Sequence, residues 1–459
     1  MRLIKNKIPL TFHDLNLNTP LLNALEDLKF DTPTPIQEQA FSSIMSGKDI
    51  VGIAQTGTGK TFAYMLPILR MLKYSEQKNP RVLVLVPTRE LAVQVAEEIG
   101  KLTAYMNTRV AAVYGGTNIN THHQDMLQGQ DVVVATPGRL YDLILRRAIQ
   151  MKSIQKLVID EVDVMLDLGF KFQIINILEL LPLNRQNIMF SATMTEAVEE
   201  LIDVNFKNPE KISVAISGTP LENIEQRGYK IPNFNTKANF LKHLLSEKET
   251  YTKVLIFVAY KRKADRLFEL LAENFPEECA VIHSNKSQNY RLRSIRQFGD
   301  GFNRILVATD VMARGLDIEN VSHVINFDTP EYPENYMHRI GRTGRAEKQG
   351  ISILLTTEKE TENLEKIEHL MEMRVPQFEL PEEVEISTVL IPEEQPKILE
   401  GNNPGKKGDM DAPGPAFHEK SELNQKVNLG GSYRREIAKK YKKPKTRGDK
   451  NYNKRNKKK

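Results

Sequence analysis

Short runs that are apolar at every position recur along the chain, and each is followed by a segment with apolar residues at helical spacing. In the N-terminal half they are "DIVGIA" (49–54), "RVLVLV" (81–86), "DVVVAT" (131–136), "KLVIDE" (156–161) and "NIMFSAT" (187–193). In the C-terminal half they are "KVLIFV" (253–258), "AVIH" (280–283), "RILVATD" (304–310), "HVINFD" (323–328) and "ISILLT" (351–356). A strand with one wet face alternates apolar and polar residues, so runs apolar throughout predict parallel strands covered on both faces. Stretches such as "TRELAVQVAEEIGKL" and "KRKADRLFELLAENF" have helix-like spacing and supply the crossovers that parallel strands need. The pattern predicts an α/β protein with two tandem parallel-sheet halves, which can share one architecture. Between them "NPEKISVAISGTPLENIEQ" (208–226) has Pro and Gly but no long periodic segment, and reads as a linker.

Composition narrows the class. A chain of 459 residues is too long for one ordinary core, and 40% apolar with 27% charged residues suits a soluble globular protein. No apolar stretch approaches the roughly 18–20 residues that span a bilayer. The start, "MRLIKNKIPLTFHDL", lacks the apolar core of a secretion signal. A single cysteine, Cys279, rules out an intrachain disulfide and fits a reducing cytoplasm. In "CAVIH" it is expected to be a buried structural thiol. The net charge of +5 hides a division: residues 432–459 carry fourteen Lys and Arg against two acids, which leaves the remainder at −7. That tail cannot bury enough apolar surface to fold alone, although "REIAKKYKK" can become helical on a partner. Concentrated charge interleaved with Tyr433, Tyr441 and Tyr452 predicts a polyanion-binding arm.

Candidate chemistry clusters where the strands end, at "QTGTGKT", "PTRELA", "TPGR", "DEVD", "SAT" and "ATD", and ligands of parallel sheets bind at that edge. "AQTGTGKT" (54–61) joins a strand to a helix-like segment. Gly57 and Gly59 let backbone N–H groups curl around phosphate oxygens, Lys60 neutralises the β- and γ-phosphates, and the Thr61 hydroxyl is offered to Mg²⁺. Ala54 stands where the general pattern has its first glycine. A phosphate loop needs a carboxylate for its metal, and Asp160 is the expected Mg²⁺ partner. Glu161 is then expected to orient or deprotonate the attacking water, with the reverse assignment left open. The developing negative charge also calls for a cation. "HRIGRTGR" (338–345), with Arg339, Arg342 and Arg345, supplies candidates from the other half, so hydrolysis would depend on closure of the two halves.

This set of motifs resembles a DEAD-box ATP-dependent RNA helicase of superfamily two, over about residues 12–372. The segment "FDTPTPIQ" (30–37), with Phe12 twenty-five positions before Gln37, separates this family from its relatives. The resemblance implies two RecA-like domains, ATP and Mg²⁺ as cofactors, and RNA as the partner. It implies that Gln37 hydrogen-bonds adenine, with Phe12, Phe30 and Thr32 beside the base. Gln55, Thr56, Gly57, Thr58, Gly59, Lys60 and Thr61 would surround the phosphates. Asp317 would contact ribose, and Gly315 would neighbour the γ-phosphate. An interdomain salt bridge is the alternative for Asp317 and Arg345. Arg342 and Arg345 resemble the γ-phosphate arginines. Asp163 looks like the link to Ser191 and Thr193, which couple ATP state to RNA-dependent closure.

RNA contacts are implied at Pro87, Thr88, Arg89, Gly115, Gly116, Thr136, Gly138 and Arg139, and at Gln288, Arg291 and Thr309 of the second half. Their chemistry suits phosphate and ribose rather than bases. The helix starting near Pro137 is where the family bends one strand. Three departures stand out: Val162 for the name-giving alanine, Lys29 where a glycine often precedes the aromatic, and Ser284 in place of glycine after His283.

The expected organisation is an ATP-binding domain over 1–207, the linker at 208–226 and a second domain over 227–372. A partly disordered extension follows at 373–431, then the basic RNA-binding tail at 432–459. The expected activity is RNA-stimulated ATP hydrolysis with local opening of short duplexes by a cytoplasmic, monomeric core, possible partners being ribosomal or RNA-decay complexes. Rival readings are a processive translocase, disfavoured by the Gln37 segment and the "HR" of 338–345, and an RNA chaperone or ATP-gated scaffold.

Overall fold

The computed structural model describes residues 10–54, 58–213, 224–310, 321–344 and 349–395. The first sheet contains β1 (Ile50–Ile53), β2 (Val82–Leu85), β3 (Val110–Val113), β4 (Val132–Ala135), β5 (Lys156–Ile159), β6 (Gln186–Ser191) and β7 (Glu210–Ser213). The second contains β8 (Ile224–Lys230), β9 (Val254–Phe257), β10 (Cys279–Ile282), β11 (Ile305–Ala308), β12 (His323–Asn326), β13 (Gly350–Thr356) and β14 (Gln377–Phe378). The strand orders are β3-β4-β2-β5-β6-β1-β7 and β10-β11-β9-β12-β13-β8-β14. Adding seven to each number of the first order gives the second, so both halves follow one RecA-like winding, and the strand pairs are parallel.

Continuous apolar runs serve two cores at once. Val82 and Val84 of β2 feed the cluster on one face, while Leu83 and Leu85 feed the other. In the second sheet Val254 and Ile256 divide in the same way from Leu255 and Phe257. Four strands escaped the sequence reading. β3 is the half-exposed "VAAV" at a sheet edge, β7 is a polar edge strand, and β14 has two residues. β8, "IEQRGYK", alternates buried and exposed positions instead of being apolar throughout.

Boundaries shift accordingly. The predicted linker at 208–226 contains β7, paired with β1, and the start of β8; residues 214–223 lie outside the described part. The run 156–161 is not strand to its end. The Asp160 amide makes a last bond to the Leu85 carbonyl at 2.9 Å, and Glu161 then turns left-handed at φ +53°. Val162 opens the helix Val162–Asp167 and is fully buried.

The start of the 373–431 extension is packed chain: β14 joins β8, and Val384 and Ile391 enter the second core. Asn233, Asn235 and Asn239 donate to the carbonyls of Ser387, Val389 and Glu385 at 2.6, 2.8 and 3.0 Å. The rest, with the tail at 432–459, lies outside the described residues. Among the described residues no helix is long and apolar enough to cross a membrane. Cys279 is half-buried, and burial pushes its thiol up to about 12, which suits a structural role.

Candidate nucleotide and RNA site

The phosphate loop leaves β1, and Gly59 closes it at φ +82° as the N-cap of the helix Lys60–Met71. Gly59 is needed twice: its backbone is left-handed, and a Cβ there would run into the Gln37 amide. That amide donates to the Gly59 carbonyl at 3.1 Å and accepts from the Thr34 amide at 2.9 Å, which caps the helix Pro35–Met45. One N–H and one carbonyl lone pair of Gln37 remain beyond these bonds, enough to address a base. Thr34, not singled out from sequence, donates to the Thr58 carbonyl at 2.9 Å. Thr32 is exposed. Phe30 is half exposed and packs edge-on against Phe62 at 5.4 Å, so it presents an accessible aromatic face. Phe12 is only 3% exposed and supports this turn from the core, its amide bonding the Asp31 carbonyl at 3.2 Å. Gln55, Thr56, Gly57, Gly315, Asp317 and Arg345 lie outside the described residues.

Lys60 reaches across to β5. Its Nζ is 3.8 Å from Asp160 Oδ1, and both side chains are about 6% exposed or less. The Tyr64 hydroxyl donates to Asp160 Oδ2 at 3.1 Å. Lys60 Nζ, Asp160 Oδ1, Glu161 Oε2 and Asp163 Oδ1 are buried without a hydrogen-bond partner among the described residues. One cation and three carboxylate oxygens left so in one crevice fit a phosphate chain with a divalent cation, since buried polar atoms are otherwise nearly always paired. Burial raises the Asp160 carboxyl although Lys60 opposes it. Burial likewise raises Glu161 to about 6, against the attraction of Lys60 and Arg342.

The three motif arginines have different settings. Arg339 is 2% exposed and grips Asp310 through two bonds of 2.6 and 2.7 Å, with Asn326 at 3.1 Å and the Asp328 carbonyl at 2.8 Å. It is a structural pin for the "ATD" turn. Arg342 is equally buried and acts electrostatically on Glu161 across the domain boundary. Asp163 Oδ2 accepts from the Ala192 amide at 3.2 Å and from the Thr193 amide and hydroxyl at 3.0 and 2.9 Å. His338 of the second domain stands 3.8 Å from the same oxygen. Ser191 does not reach Asp163; its hydroxyl donates to the Thr193 carbonyl at 2.6 Å.

A second face lies at the neighbouring strand ends. Pro87 precedes Thr88, which N-caps the helix Arg89–Leu102 by accepting from the Leu91 amide at 3.2 Å. Arg89 lies over Gly115 and Gly116, and a Cβ at Gly116 would run into its guanidinium. Thr136 begins the helix Pro137–Leu145, Gly138 sits beside Phe170, and Arg139 donates to the Thr117 carbonyl at 2.9 Å. Burial, with Arg89 and Arg146 nearby, lowers the Arg139 guanidinium, so positive charge is concentrated here. In the second domain Thr309 is buried, and Gln288 bonds Arg291. Arg291 also stands 3.0 Å from Glu90 of the first domain, with both side chains 4% exposed or less. Ser284 is exposed, next to a buried His283 held by Asp265 at 2.8 Å.

Residues 34–201 match the DEAD/DEAH box helicase family, and residues 236–347 match the helicase conserved C-terminal domain. DEAD-box ATP-dependent RNA helicase CshA of Bacillus cereus is 37% identical over 397 residues, 86% of this chain and 75% of that protein. RhpA of Helicobacter pylori, named likewise, is 39% identical over 371 residues, 81% of this chain and 74% of that protein. The chain belongs to the DEAD-box helicase family. Among solved structures, S. cerevisiae Dbp5 bound to RNA and ADP BeF3 aligns with this DEAD-box protein at a TM-score of 0.71 and 29% identity. That likeness covers 81% of this chain and 96% of that one. Mss116p bound to ssRNA and AMP-PNP aligns at 0.75 and 27% identity, over 82% and 80% of the two chains.

Sequence reasoning missed three members of this DEAD-box site: Tyr64, Thr34 and Glu90. Glu90 carried a signal only in hindsight, as an acid in the first turn of a helix whose other buried side chains are all apolar.

Proposed function

We propose that this DEAD-box helicase couples RNA-stimulated ATP hydrolysis to local, non-processive opening of short RNA duplexes through closure of its two RecA-like domains. ATP-dependent RNA helicase activity, and with it ATP hydrolysis, follows from family membership. One observation supports the finer reading: the partnerless atoms of Lys60, Asp160, Glu161 and Asp163 lie in the first domain, and Arg342 from the second acts on Glu161. A complete site therefore needs both domains.

In this reading Phe30 offers an aromatic face to adenine and Gln37 its remaining donor and acceptor. Lys60 neutralises phosphate charge. Thr61 and Asp160 would hold Mg²⁺, which supplies positive charge to the phosphate oxygens. Glu161 orients the attacking water and accepts its proton, while Arg342 stabilises the charge that develops on the γ-phosphate. Asp163 relays closure, since it holds Thr193 on one side and faces His338 on the other. Arg89, Thr136 and Arg139 grip the RNA backbone without reading bases. The basic tail adds non-specific affinity.

The test is ATP turnover with RNA, with DNA and with neither, alongside strand separation of a short duplex and of a long duplex with a single-stranded track. Turnover stimulated by RNA alone, and release of the short duplex only, are expected. Stimulation absent with RNA, or long-duplex unwinding from the track, overturns the reading.

A further inference from the structure

The helix that follows the phosphate loop carries a residue the reaction scheme leaves unused. Tyr64 lies one turn beyond Lys60, so the two side chains share a helix face, and both lean on Asp160. They divide its carboxylate: Lys60 Nζ is 3.8 Å from Oδ1, and the Tyr64 hydroxyl is 3.1 Å from Oδ2. Tyr64 thus touches one of the two side chains expected to hold Mg²⁺. The ring cannot wander: it is fully buried and packs against Phe190 of β6 at 5.7 Å.

We propose that Tyr64 is a positioning residue of the metal cradle, its hydroxyl pinning Asp160 Oδ2 so that Oδ1 stays free for the cation. This deepens the ATPase reading and rests on it. A carboxylate with one oxygen pinned loses rotational freedom before the cation arrives, and such outer contacts set metal affinity. Toward Asp160 the phenol acts as the donor.

Tyr64→Phe removes one oxygen and keeps the ring, and thermal unfolding confirms that the variant folds. Binding of a fluorescent ADP analogue is measured in EDTA and across a Mg²⁺ titration, and Mn²⁺ binding to the nucleotide complex is followed by electron paramagnetic resonance. For Tyr64→Phe the expected result is unchanged nucleotide affinity in EDTA and a half-saturating Mg²⁺ about tenfold higher. In an Asp160→Asn background the same substitution should add little, because the effect passes through Asp160. Equal Mg²⁺ and Mn²⁺ half-saturation in wild type and Tyr64→Phe overturns the proposal and leaves the ATPase reading standing. Failure of the wild type to bind nucleotide overturns both.

Discussion

Glu161 carries two costs in one residue: a left-handed backbone without being glycine, and a buried carboxylate oxygen with no partner. Strain of this kind gathers where chemistry needs it. Its folded-state value of about 6 lies above the ordinary carboxylate range because burial disfavours the charge. The sign follows: stability falls as pH rises from about 4.5 to about 6, where the folded protein holds the proton longer than the unfolded chain, and the full cost persists above, whereas the proposed role as base needs Glu161 ionised. Glu161→Gln should therefore abolish turnover and raise thermal stability at pH 7 by about 1–2 kcal/mol. In the wild type kcat/KM should fall as pH drops through about 6, about tenfold per unit below it. A flat profile from pH 5 to 7, or a Gln variant that still turns over, excludes Glu161 as the base. Lys29 makes the opposite case. Its amide bonds the Glu26 carbonyl at 2.9 Å and the Phe30 amide bonds Leu25 at 3.0 Å, which ends the helix Thr19–Asp27 in a Schellman motif with Lys29 at φ +59°. Glycine adopts that backbone without strain, so Lys29→Gly should stabilise the protein by about 1 kcal/mol in chemical denaturation. No gain would mean that the left-handed turn is not what Lys29 strains.

At the scale of elements, Gly116 shows how a loop serves a neighbouring helix. Its φ of +84° and the Arg89 guanidinium above it leave no room for a side chain. Gly116→Ala should displace Arg89, lower RNA affinity about tenfold and leave nucleotide affinity alone; filter binding with RNA and nucleotide titration separate the two. Loss of both together would point to misfolding of β3 and its loop instead. Such elements also explain what could be read from sequence. Strands buried on both faces announce themselves, and so do helices like Arg89–Leu102, whose period matches the surface they cover. β7 and β14 escaped because an edge strand needs few apolar residues, and β8 because two of its buried positions, Gln226 and Gly228, are not apolar. The candidate site was legible where the chemistry read from it demands a residue type, as at Lys60, Asp160 and Glu161, which the fold brings together. Tyr64 was illegible because its ring reads as core and only folding brings its hydroxyl to Asp160.

On the scale of the whole molecule, two arginine–carboxylate pairs join the domains among the described residues, and their settings predict unequal weight. Arg296 and Glu97 are 3.4 Å apart with side chains 70% and 57% exposed. A pair so wet contributes about 0–1 kcal/mol. Glu90 and Arg291 are closer, at 3.0 Å, and buried to 3% and 4% exposure. Yet neither Glu90 oxygen has an aligned hydrogen bond. Charge attraction without good hydrogen-bond geometry barely offsets the loss of water, so the pair adds little net stability while losing one partner is costly. Burial lowers the Arg291 guanidinium, Glu90 opposes that shift and Arg89 adds to it, so removing Glu90 takes away the attraction and keeps the repulsion of Arg89. Removing one partner of a buried ion pair costs about 3–5 kcal/mol, and opening the domains restores water to Arg291. Glu90→Gln should accordingly shift the population towards open domains, cutting RNA-stimulated turnover by tenfold or more while ATP still binds without RNA. Glu97→Gln should stay within about twofold of wild type. Energy transfer between dyes on the two domains, with RNA and a non-hydrolysable ATP analogue, reads closure directly. Equal effects of the two substitutions would show that burial does not decide which pair governs closure.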